Sequence, residues 1–361
     1  ITFGGHEVTY QAWNGIDAET LATVRTFNPS GMYTDENGLV KFHENEEDNY
    51  KQDHYQLHWN ERYNNNWTTN IGLNYTYGRG YFEQYKEDEN FADYDLTDIS
   101  IGGETINTTD LIRRRWLDND FYVFNVSANY KNELINLTFG TSYNTYKGNH
   151  FGEIIWARFA SDSEIGDQYY NGLGKKKDFS LFTKATYRLN DKISLFGDLQ
   201  MRYVNYKTSG LTSDRVNMLI DEDYNFFNPK AGITYKLNLE NNLYFSYARA
   251  NREPSRSDFE SNQDVKPEQL NDFELGWRHN TTAFNINTNV YYMLYNEQLV
   301  LSGAIDNTGA PIRTNSGASY RLGLEVEATI QVSKKLAVQP NITFSSNKNK
   351  QTIAQIDGEL V

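Results

Sequence analysis

His54 and His58 stand four residues apart, a spacing that on a helix could offer two ligands to one metal ion. On a strand they share a face but lie about 13 Å apart, at ~3.3 Å per residue, too far to hold one ion together. They read as solvated polar positions. No GxxxxGKS/T, GxSxG or HExxH run occurs, and Gly172-Leu173-Gly174-Lys175-Lys176-Lys177 is not a phosphate loop. The chain has no cysteine, which excludes thiolate zinc sites, cysteine nucleophiles and disulfides. His150 alone among the histidines lies near a strand end where a lipid-active enzyme would place its base, and no serine partner accompanies it. The text points away from catalysis and asks for no cofactor or metal.

A different group of residues is arranged for chemistry. Lys184, Arg188, Asp198, Arg202, Lys230, Asp272, Glu274, Arg278, Arg321, Glu325 and Glu327 sit at alternate positions, opposite apolar neighbours. A charge facing lipid costs about 2–4 kcal/mol at the bilayer midplane. These side chains must therefore face water in a lumen, or a protein that fills it.

The elements that would position them are strands. At 67–77, Trp67, Thr69, Ile71, Leu73, Tyr75 and Tyr77 alternate with Thr68, Asn70, Gly72, Asn74 and Thr76. At 319–330, Tyr320, Leu322, Leu324, Val326, Ala328 and Ile330 oppose Arg321, Gly323, Glu325, Glu327 and Thr329. A helix would scatter such apolar residues around its circumference. This pattern predicts about twelve strands: 53–61, 67–77, 120–130, 135–146, 178–188, 193–206, 223–236, 243–250, 270–279, 283–294, 317–330 and 336–345. Short connections rich in Asn, Asp, Lys and Ser alternate with long ones at 78–119, 147–177, 207–222, 251–269 and 295–316. Short turns and long loops in strict alternation describe an outer-membrane barrel, with turns in the periplasm and loops outside. Tyr and Trp at strand ends, such as Trp59, Tyr130, Tyr187 and Trp277, suit the aromatic girdles of that class.

Composition agrees once averaged over two faces. The 361 residues carry a net charge of −14, with 27 Tyr and 20 Phe. Mean hydropathy is −0.73. No run of about 18 apolar residues is present, so no transmembrane helix is expected. The acidic balance disfavours nucleic acid. Residues 1–52 and 346–361 read as extracellular loop text around the strands of 53–345, so the chain is expected to be an interior slice of a larger barrel.

Phe227-Asn228-Pro229-Lys230-Ala231-Gly232, Leu243–Pro254 and Lys266-Pro267-Glu268-Gln269-Leu270-Asn271-Asp272-Phe273-Glu274-Leu275-Gly276-Trp277 resemble the barrel of TonB-dependent outer-membrane receptors. Tyr292-Met293-Leu294-Tyr295 and Ser319–Glu327, with its Gly-x-Glu-x-Glu strand, match the following hairpin. Trp116–Tyr122, His150-Phe151-Gly152 and Ile155–Arg158 are similar to receptors of the Bacteroidota type. The resemblance implies an all-β, transmembrane antiparallel barrel of about 22 strands around a plug domain, energised through the TonB complex. The family's plug and TonB box are not in this text, so both are expected elsewhere.

The resemblance also implies that extracellular loops catch the ligand. Trp13, Arg113, Trp116, His150, Trp156, Arg158, Tyr169, Tyr170, Arg252, Arg256 and Arg313 are the loop candidates, with Arg114 and Arg115 beside them. Arginine with aromatic rings suits an anionic, ring-bearing ligand such as a ferric siderophore. Cobalamin, haem, a glycan or a peptide would be alternatives. From another class, so would a self-contained twelve-stranded porin or an outer-membrane enzyme. The acidic runs Glu83–Asp95 and Glu44–Asp48 could hold Ca²⁺. Lys175–Lys177 could meet lipopolysaccharide phosphates, and a surface lipoprotein is a further partner in prospect.

Overall fold

The computed structural model describes residues 1–9, 18–27, 32–43, 47–305, 311–350, 355–356 and 359–360. Strands β1 (Thr2–Thr9), β2 (Glu47–Arg62), β3 (Trp67–Asn90), β4 (Thr108–Lys131), β5 (Ile135–Ala157), β6 (Gln168–Arg188) and β7 (Ile193–Leu211) lie in chain order in one sheet. They continue as β8 (Asn217–Lys236), β9 (Asn241–Arg252), β10 (Glu268–Asn280), β11 (Phe284–Asn296), β12 (Ser319–Ser333), β13 (Leu336–Val338) and β14 (Asn341–Asn349). All fourteen form a single antiparallel sheet. Among the described residues its two edges do not pair with each other.

Five of the turns form where the sequence placed them with one side chain holding each. Asn64, Asn132, Asn190 and Asn238 each accept two backbone N–H bonds, from the residues two and three positions on. Thr281 does the same with its hydroxyl, taking the N–H groups of Ala283 and Phe284. The side chain stands in for the missing ladder partner, and the next strand begins immediately.

Register sorts the residues onto two faces. Leu195, Ile233, Phe245, Leu275, Val290, Leu324 and Phe344 are consecutive cross-strand partners, an apolar row over seven strands. We call this the outward face. All seven side chains are exposed on it, the condition of a wall in contact with lipid. The inner face carries the expected charges. Lys184 faces Asp198, which faces Lys230, and the row continues through Ala248, Asp272 and Met293 to Arg321. Arg188 and Arg202 share the β6 and β7 inner positions, Glu274 stands opposite Ser246, and Glu325 opposite Asn289. Arg278 and Glu327 both flank Asn287.

Two motif glycines have a steric reason. Tyr244 lies opposite Gly276 and Tyr291 opposite Gly323, and each ring covers the space a Cβ would need. The Tyr244 hydroxyl then donates to Asn289 at 3.0 Å, and Arg278 stacks 4.6 Å from its ring centroid. Gly276→Val should displace that ring and cost about 1–3 kcal/mol, read as a lowered melting temperature of the barrel. An unchanged melting temperature would show the ring is free to move.

The structure departs from the sequence reading in three places. Thr2–Thr9 is a strand paired along β2, where loop was expected. Positions 336–345 are split into β13 and β14, because Pro340 has no N–H to give the ladder. The third difference is length: β3 and β4 each run 24 residues, so much of 78–119 and 147–177 is ladder rather than loop. Such strands reach about 80 Å at ~3.3 Å per residue, against an apolar band of about 25 Å.

Candidate functional site

The tall hairpins carry the inner face beyond the membrane zone and build a cavity there. Tyr50, Gly80, Leu117 and His150 form one cross-strand row, and Phe82, Arg115, Gly152 and Tyr170 the next. Gly80 is required, since a Cβ would run into the backbone of Asn49 and Tyr50. Helix α1 (Ala18–Thr23) precedes β2 in the chain, and the second short helix, α2 (Arg256–Ser261), closes the opposite side of the cavity. Its Phe259 is 1% exposed and stacks on Tyr206, with ring centroids 5.5 Å apart. Ser255 and Asp258 cap it reciprocally.

The cavity holds about 340 Å³ and is walled by Tyr50, Phe82, Arg115, His150, Tyr170 and Arg256, with Ser213 and Glu260 at its rim. Arg115 is 6% exposed, and its guanidinium lies 4.0 Å from Asp214. Arg256 donates to Glu260 at 2.9 Å and to Thr208 at 3.0 Å. Burial, and then the nearby Arg256 charge, push His150 down to about 4, so its imidazole is neutral at neutral pH. Burial raises the Tyr170 phenol against the opposing pull of Arg115, so it keeps its proton. The wall thus offers two guanidiniums, the carboxylates of Asp48 and Glu260, uncharged donors and acceptors, and aromatic surface. That combination binds an anion with a flat, polarisable body.

The candidates read from sequence separate in the fold. His150, Tyr170 and Arg256 meet at the cavity. Trp116 borders it, but its ring packs on the outward face between Tyr81 and Phe151, at 4.6 and 5.9 Å, and its Nε1 donates to Glu153. Arg113 is buried and donates to Tyr94 at 2.7 Å and to Gln84. Tyr169, 3% exposed, joins it in a small core with Phe91, Tyr94, Leu111 and Ile154. Both hold a cap over the hairpin tips rather than line the cavity. Arg158 pairs with Asp110 at 2.8 Å, Arg252 with Glu268 at 3.6 Å and Arg313 with Asp258 at 3.9 Å. Trp156 is exposed at the tip of β5, and Trp13 lies outside the described residues.

Arg113, Trp116, His150, Trp156, Tyr169, Tyr170, Arg252 and Arg313 are strand residues and Arg256 is helical, not loop residues as expected. Glu83, assigned to a Ca²⁺-binding run, instead accepts from Arg114 at 2.9 Å and lies 3.5 Å from His43. Sequence reasoning missed Tyr50 and Phe82. The alternation of β3 and β4 continues above Tyr77 and Asp120, and following it upward would have found them.

The family described as "TonB dependent receptor-like, beta-barrel" matches residues 1–360. The chain belongs to the TonB-dependent receptor barrels. Receptors of this family are outer-membrane transport proteins, in agreement with the open antiparallel wall and its lipid-ready outer row. The siderophore receptor PiuA from Acinetobacter baumannii superposes with a TM-score of 0.61 at 14% identity, over 88% of this chain and 49% of that one. The ferric-catecholate import receptor Fiu from E. coli K12, closed form, gives 0.55 at 14% identity, over 88% and 50%. The copper transporter OprC gives 0.65 at 11% identity, over 86% and 49%. The chain spans about half the length of these solved receptors. At such identities the likeness carries the fold alone. No curated protein matches the sequence.

Proposed function

We propose that this TonB-dependent receptor barrel contributes the ligand-catching wall of an outer-membrane importer for an anionic metal chelate, a ferric siderophore foremost. The observation that carries the reading is the inner-face cavity, where Arg115 and Arg256 flank the rings of Tyr50, Phe82 and Tyr170. A receptor for a catechol- or phenol-bearing iron chelate needs cationic groups beside aromatic surface. Several solved relatives in fold are themselves named for ferric chelates, which supports the choice without transferring a ligand.

In this reading the charged inner rows of β6 to β12 face the receptor's plug domain, and import draws on the TonB complex through that plug. The Bacteroidota-like motifs, and a surface lipoprotein as partner, belong to the same proposal. A self-contained porin would need its edge strands paired, and among the described residues β1 and β14 are not. The test is transport: a strain lacking the receptor, grown under iron limitation with a ferric catecholate as sole iron source, should lose growth. Growth equal to the parent on every iron chelate offered, with a defect on cobalamin or haem instead, would move the ligand class.

A further inference from the structure

The inner and outward faces of β5, β6 and β7 treat charge in opposite ways. Inside, Lys184, Asp198 and Lys230 alternate in sign from strand to strand. Outside, Lys175 stands directly opposite both Lys147 and Lys207, three lysines in one row. Like charges directly opposite one another destabilise a sheet. Lys177, two residues below Lys175, adds a fourth cation on the same face.

All four lysines are exposed. Lys207 is partly compensated by Asp221 at 2.7 Å. Among the described residues, Lys147, Lys175 and Lys177 have no carboxylate within ion-pair distance. The nearest acidic residue in register, Asp120 opposite Lys147, already accepts the Tyr75 hydroxyl at 2.7 Å. In a chain with a net charge of −14, this patch is not a sample of a generally basic surface.

Its height on the wall decides what could compensate it. Four residues below the lysine row, Tyr143, Phe179 and Tyr203 form an outward row of rings. Aromatic girdles of this kind mark the membrane interface. Four residues are about 13 Å of strand, or roughly 10 Å of height at a tilt near 40°. The lysines therefore stand at the level of lipid headgroups in the outer leaflet. Strands are about 4.8 Å apart, so the row is about 10 Å wide.

We propose that Lys147, Lys175, Lys177 and Lys207 form a binding site on the barrel's outer wall for the phosphates of a phosphorylated glycolipid of the outer leaflet. Ammonium groups bind phosphate as point charges without demanding a fixed fork geometry, which suits a row of independent stems. Asp118 and Asp120 on β4, and Asp221 and Asp223 on β8, bound the patch laterally, so the lipid would be fixed at β5 to β7.

The test is native mass spectrometry of the receptor carrying this chain, delipidated and then titrated with diphosphorylated lipid A, dephosphorylated lipid A or phosphatidylglycerol. The wild type should prefer diphosphorylated lipid A over the dephosphorylated form by on the order of a thousandfold, at about 1 kcal/mol for each of the four lysines. K147Q/K175Q/K207Q should cut that preference to within about tenfold, leaving only the share of Lys177, the matching arginine triple variant should keep it, and K192Q in a periplasmic turn should leave it intact. Equal binding of the two lipid A forms by the wild type overturns the proposal whatever the variants do. So does an unchanged preference in a triple variant that still migrates as a folded barrel. Phosphatidylglycerol binding as tightly as lipid A would overturn the assignment to a glycolipid. Chelate uptake by the variants is a separate reading, so failure here leaves the transport proposal standing.

Discussion

Replacing Arg202 with alanine is expected to release the segment that begins at Glu253 from the inner wall. Arg202 donates to Asp178 at 2.6 and 3.0 Å and to Glu253 at 2.7 and 2.8 Å, and Glu253 also accepts from Lys176. Glu253 is 9% exposed and leads through Pro254 into the cap of α2. Removing the guanidinium from this buried charge cluster leaves Asp178 without its partner and Glu253 with Lys176 alone, a loss of about 3 kcal/mol. The loss should appear locally, as faster amide exchange across 255–262 by roughly two orders of magnitude. The same contact predicts an acid dependence. Burial alone would raise the Glu253 pKa, but hydrogen bonds from Arg202 and Lys176 outweigh it and hold the carboxyl at about 2, below its ordinary 4.5. A depressed folded-state value means the stabilisation is complete above about 4.5 and is lost as the pH falls toward 2. Exchange across α2 that stays slow in R202A, or down to pH 3 in the wild type, would show that Phe259 alone holds the helix.

The wall was legible in the sequence because a period of two leaves little freedom. The apolar row from Leu195 to Phe344 and the charges from Lys184 to Arg321 fall on the faces that alternation assigns. The turns at Asn64, Asn132, Asn190 and Asn238 were legible for the same local reason, since one side chain replaces the missing ladder bonds. The cavity was only half legible. Arg113 and Arg115 are two residues apart on one face of β4, yet a register shift at Ile112/Arg113 and the cap core separate their roles. No pattern within a strand reports which loop folds over its tip. Trp116 borders the cavity, but its neighbours Arg115 and Leu117 point inward, so its own ring packs on the outward face.

Arg115→Ala should weaken binding of a ferric catecholate by about 30-fold or more, the effect of about 2 kcal/mol. The guanidinium is nearly buried and is central to the inner wall between Phe82 and Tyr170. A water-filled gap cannot replace it, because a chelate's negative charge would then enter a cavity with no fixed counter-charge nearby except Arg256. Arg115→Lys keeps the charge and loses the fork, so an intermediate loss is expected. Trp116→Phe keeps an aromatic ring in the outward stack at the cavity's border, so affinity should change by less than about threefold. Equilibrium titrations of the three variants separate these outcomes. Equal losses for Arg115→Ala and Trp116→Phe would mean that the cavity's inner wall does not make the contact.

The absence of cysteine from the chain allows the most direct test of the inner-face site. Ser213 lines the cavity rim and Leu275 lies on the outward apolar row, so single cysteines at these positions report on the two faces. Labelling intact cells with a membrane-impermeant maleimide should modify Ser213→Cys and spare Leu275→Cys. Saturating ferric catecholate should then protect Ser213→Cys, while the iron-free chelator should protect it far less. Labelling of Ser213→Cys that proceeds at the same rate with and without bound ferric chelate would contradict a ligand site on the inner face of this wall.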